Sequence, residues 1–76
     1  MQTSVFSECL AALLKHSLKL DGGLQTDTDF LELQRLEARI TKAHSNNYFN
    51  GKSAQALSLI AQELHSDYRQ ALNLNR

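Results

Sequence analysis

The sequence predicts an all-α protein, a small antiparallel three-helix bundle, with dimerisation into a larger helical bundle left open. Three observations carry this. Fourteen leucines and eight alanines stand against one valine and two isoleucines, with no proline. Leu and Ala favour helix, whereas β-branched residues favour strand. Apolar residues recur at spacings of three and four through three segments, and breaks at Gly22-Gly23 and Asn50-Gly51 separate them. The 76 residues make one helical domain over 1–76, because a second core would need roughly another 50 residues.

The first helix is expected over about 4–20. Phe6, Cys9, Leu10, Leu13, Ser17 and Leu20 share one face. Ser4 or Thr3 supplies its cap, Glu8 suits the positive end of the dipole, and Lys15 and Lys19 suit the negative end. Gly22-Gly23 stops it, since glycine takes the left-handed conformation without a Cβ penalty. The second helix is expected over about 28–45, with N-cap candidates at Thr26, Asp27, Thr28 and Asp29. Phe30, Leu33, Leu36, Ile40 and Ala43 form its buried stripe, and Arg35, Arg39 and Lys42 recur on another face. A turn follows through Asn46-Asn47 and Asn50-Gly51, with Tyr48 and Phe49 as packing residues. The third helix, over about 52–72, carries the longest stripe: Leu57, Ile60, Ala61, Leu64, Tyr68, Ala71 and Leu72. The tail Asn73–Arg76 is expected to fray.

Charge and composition narrow the function. Eight basic against eight acidic residues give zero formal charge, which argues against nucleic acid or an anionic membrane as partner. No apolar run approaches the ~20 residues that span a bilayer. One cysteine, no signal-peptide pattern and no Asn-x-Ser/Thr acceptor predict a cytoplasmic location.

The chemistry-bearing motifs read as structure. Asn46–Ser53 resembles the phosphate-binding loop G-x-x-x-x-G-K-S with Asn46 in place of its first glycine. That loop follows a strand, whereas this segment follows a helix, so it reads as a turn with Asn50 capping the next helix. His16-Ser17-Leu18-Lys19 resembles the H-x-L-K-G signature of histidine phosphotransfer domains, with Leu20 in the glycine position; His16 is expected at the surface near a helix end. His65-Ser66-Asp67 has triad letters, but adjacent helical residues point about 100° apart and assemble no relay. Cys9, His16, His44 and His65 lack metal-ligand spacing. The acids are expected at caps and solvent faces, with Glu32 beside Arg35. The expectation is therefore no enzyme, no cofactor and no metal.

The helix–Gly-Gly–helix layout through Leu10–Phe49, with Leu18 and Phe30, resembles the small helical co-chaperones of bacterial type III secretion needles. That resemblance implies a protein that covers a partner's apolar helix; Lys52–Arg76 has no counterpart in it. Tyr68–Asn75 resembles the end of a tetratricopeptide repeat, although one repeat cannot bury its own core. A core this small rarely gives more than ~3–5 kcal/mol, and Leu14, Leu18, Leu31, Leu59 and Leu74 fall off the main stripes. They are candidates to merge into a patch that a partner covers. The function expected is a helical interaction module: a small accessory protein, regulator or chaperone binding a protein partner, a second copy, or both. Leu14, Leu18, Leu31 and Leu59 would make contact, with Arg35 and Arg39 on the rim. A small DNA-binding regulator using Arg35, Arg39 and Lys42, and a phage-type or secretion-type inhibitor or escort, are the alternatives.

Overall fold

A computed structural model describes residues 4–73, and over these the chain is three helices with no strand: α1 Val5–Asp21, α2 Asp27–Ser45 and α3 Gly51–Ala71. They pack against one another as a small three-helix bundle. Thr3 as a cap, Leu74 as a contact residue and the last part of the expected fraying tail lie outside the described residues.

Each helix starts at a side chain that satisfies a free backbone amide. The Ser7 amide donates to Ser4 Oγ at 3.0 Å, and the Ser53 amide donates to Asn50 Oδ1 at 2.8 Å. Thr26 opens α2 as half of a capping box: the Asp29 amide donates to Thr26 Oγ1, and the Thr26 amide donates back to Asp29 Oδ2. This reciprocal pair selects Thr26 among the four candidate caps. It starts α2 at Asp27, one residue before the expected boundary, as Asn50 does for α3 at Gly51.

The helices also end alike. Gly23, Asn47 and Asn73 each follow the C-cap residue with positive φ, at 70°, 61° and 61°. After α1, the Leu24 amide donates to the Lys19 carbonyl and that of Gly23 to Leu20; after α2, Tyr48 donates to Ala43 and Asn47 to His44. These are Schellman closures, which satisfy carbonyls the helix leaves free. Glycine signals the first in the sequence. Asn serves at the second because its short polar side chain tolerates the left-handed region.

The core is Cys9 and Leu13 from α1, Leu33, Leu36 and Ile40 from α2, and Leu57, Ala61, Leu64 and Tyr68 from α3. Phe6, Leu10, Leu20, Phe30 and Ile60 pack around it, half-buried. Phe49 also packs there, edge-on to Phe6 with ring centroids 6.2 Å apart. Two expected packing residues differ. Tyr48 is exposed, because the left-handed Asn47 turns the chain outward at that point. Ala71 is exposed at the last turn of α3, while Leu72 beside it still packs against the core.

Candidate functional site

Helix α1 carries two stripes of the same spacing. Cys9, Leu13, His16 and Leu20 step by four, three and four and turn inward: the first three are buried and Leu20 is half-buried. Ser7, Ala11, Leu14 and Leu18 step by the same intervals on the outer side, and all four are exposed. The inner stripe corrects the reading of His16, expected at the surface and found 4% exposed. Ser17, assigned to that stripe from sequence, is half-buried beside it.

His16 belongs to a buried polar cluster where the end of α1 meets the start of α2. Asp29, expected at a cap or solvent face, is 2% exposed. Its two oxygens are fully engaged. Lys19 Nζ donates to Oδ1 at 2.8 Å, while the Thr26 amide and hydroxyl each donate to Oδ2 at 3.0 Å. The Lys19 ammonium, then the Thr26 donors, hold the Asp29 carboxyl below its ordinary value against the opposing effect of burial. The same hydrogen bond holds the Lys19 ammonium above its ordinary value. From α3, the Tyr68 hydroxyl donates to the His16 carbonyl at 2.8 Å. Burial, with Asp29 and Glu32 near, pushes that phenol up, so it remains a donor. Cys9 is likewise pushed up by burial and acts as a small apolar group.

His16, Asp29 and Glu32 bring ligand-type atoms within 4.8 Å of one another, the one such group among the described residues. The hydrogen-bonded ion pair at this cluster is Lys19 with Asp29, while His16 Nδ1 is buried without a hydrogen-bond partner among the described residues. The Lys19 ammonium already stands on Asp29 Oδ1, where a cation would sit. His16 faces the two acids with different nitrogens, Nδ1 at 3.9 Å from Asp29 and Nε2 at 3.9 Å from Glu32. The cluster fixes the join between α1 and α2. Glu32, expected beside Arg35, is part of it.

That join shapes the surface. Ala11, Leu14, Lys15, Leu18, Lys19 and Leu24 line an open apolar groove along α1. Leu14, Leu18 and Leu24 are 54%, 70% and 67% exposed. The Schellman closure at Gly23 turns Leu24 back toward this face, and the stem of Lys19 borders it while its ammonium reaches Asp29.

The other contact candidates lie elsewhere. Leu31 and Leu59 are 53% and 57% exposed, but each stands two residues, about 200° of helical rotation, from a fully buried leucine, Leu33 or Leu57. They therefore point outward from α2 and α3, and the outer faces of three bundled helices diverge. Leu14 and Leu18 share a groove; Leu31 and Leu59 do not join it. Arg35 is exposed on α2. Arg39 donates to Glu8 Oε2 at 2.7 Å, an exposed pair that ties α2 to α1, and it lines a second concavity with Val5, Lys42, Ala43, Asn46 and Tyr48.

Sequence reasoning missed Asp29, Lys19 and Tyr68 as a connected set, and Leu24 altogether. Two signals were available: the Thr26-x-x-Asp29 capping-box spacing, and the interval of His16 from Cys9 and Leu13. No helix among the described residues is long and apolar enough to cross a membrane. Comparison with protein-family models, curated proteins and solved structures returned no match.

Proposed function

We propose that the chain is a non-enzymatic protein-interaction module, a small cytosolic accessory protein, regulator or chaperone that acts by burying an apolar helix face against a protein partner. The observation that carries this reading is the second, exposed stripe on α1, with Leu14, Leu18 and Leu24 gathered along one groove. Grouped exposed leucines of this kind mark interaction surfaces more often than isolated ones do. Apolar side chains supply affinity, and the charged residues around them supply orientation: Lys15 beside the groove, with Glu32, Arg35, Arg39 and Glu63 farther round the bundle.

Two further observations favour this reading over its alternatives. Asp29, the buried carboxylate, is committed to Lys19 and Thr26, which supports a non-enzymatic role. The middle residue of the Arg35–Arg39–Lys42 stripe is paired with Glu8 on a chain of zero formal charge, which supports a rim rather than a phosphate-binding face. Escort and inhibitor remain two uses of the same helix-burying chemistry.

The test compares Leu14→Asp/Leu18→Asp with Leu31→Asp/Leu59→Asp. Both pairs should keep their helical circular dichroism. Association, with another copy or with a protein from the native host, should be lost with the α1 pair and kept with the control pair. Equal association by both variants would overturn the reading.

A further inference from the structure

We infer that the occupant of the α1 groove is a second copy of this chain, with the two α1 helices packed antiparallel about a two-fold axis between positions 12 and 13. This deepens the proposed function and rests on it.

The outer stripe is graded in size: Ser7 and Ala11 are small, Leu14 and Leu18 large. Reversed, the pattern is its own complement. In an antiparallel pair, Leu18 of one copy lies over Ser7 of the other, and Leu14 lies over Ala11, so large side chains fill the space beside small ones at every level. A parallel pair would set Leu18 against Leu18 and Ser7 against Ser7, crowding one end and leaving the other loose. A two-fold interface requires this self-complementarity.

Charge follows the same symmetry. Glu8 and Lys15 each directly follow a stripe residue, so both lie on one flank of the seam, and both are exposed. A two-fold antiparallel arrangement brings that flank against the same flank of the other copy. Glu8 then meets Lys15 of the second copy about two residues off level, roughly 3 Å, and the reciprocal pair forms on the other side of the axis. The opposite flank carries Leu10 and Ser17, half-buried and uncharged, so no like charges face each other there. Arg39 already holds the Glu8 carboxylate beside α1. In a parallel pair this flank would face Leu10 and Ser17, with no partner for either charge.

Native mass by light scattering over a wide concentration range tests this with a charge exchange. The wild-type chain should pass from monomer to dimer. Glu8→Lys and Lys15→Glu each place two like-charge pairs in the homodimer and should weaken it about tenfold. Mixed in equal amounts, they should recover wild-type association, because the mixed dimer restores both opposite-charge pairs. Leu18→Asp should weaken association by about 100-fold or more. A mixture that associates no better than its components overturns the antiparallel second copy. So does a wild-type chain that stays monomeric throughout. If that monomer still binds a different protein through Leu14 and Leu18, the interaction-module reading stands and only the second copy falls; if Leu14 and Leu18 affect no association, both fall.

Discussion

The two faces of α1 share a four-three-four spacing and differ in almost everything else. On the inner face, Leu13 is fully enclosed and His16 is held where the Tyr68 hydroxyl reaches its carbonyl. On the outer face, Leu14 and Leu18 stand in the open beside Leu24. Periodicity is therefore a necessary mark of burial and not a sufficient one. What distinguishes the faces is the neighbour: α2 and α3 cover one, and nothing among the described residues covers the other. Substitutions should separate the two faces cleanly, stability responding to the inner and association to the outer.

The largest effect on folding is expected at the inner face. Leu13→Ala should lower unfolding stability by about 3 kcal/mol, read by urea denaturation, because the enclosing side chains cannot collapse into the space. Leu14→Ala, one residue away, should change it by less than about 0.5 kcal/mol. A large loss at Leu14 would mean that the outer face belongs to the fold. Tyr68→Phe should cost about 1 kcal/mol through the lost hydrogen bond to His16, with the ring packing retained. Thr26→Ala should cost a similar ~1 kcal/mol by opening the capping box.

Asp29 gives the comparison a pH axis. Its folded value lies below the ordinary 3.8, so its contribution is present above the unfolded value and is lost as pH falls through the lower folded value. Lys19 works in the opposite sense: its folded value lies above 10.5, so its contribution is present below that pH and is lost as pH rises through the higher one. Asp29→Asn should flatten the fall in stability below about pH 4, measured by thermal melts across the acid range. An unchanged acid slope would contradict the role of the Lys19 pair. The smallest effect is expected at Leu31→Ala and Leu59→Ala, each within about 0.5 kcal/mol of wild type.

Much of the fold was legible because the local signals agree with one another. Caps at Ser4 and Asn50, a glycine stop at Gly23 and apolar stripes on each helix all point to the same three elements. The polar cluster was harder to read. Lys19 and Asp29 are ten residues apart on different helices, and Lys19 looked sufficient as a cation in a closing turn. His16 lies within the inner interval, but its polarity argues for the surface, and the structure buries its Nδ1 without a hydrogen-bond partner among the described residues. The exposed leucines were identifiable as leftovers from the stripes. Their division among three diverging faces follows from the packing, as does the return of Leu24 to the α1 groove.

The most direct measurement is a residue-by-residue record of backbone amide NMR shifts as the protein is concentrated. The account predicts shifts that grow with concentration along Ser7, Ala11, Leu14, Lys15 and Leu18, with Leu31 and Leu59 unmoved. Shifts centred on Leu31 or Leu59, or none at any concentration, would contradict it.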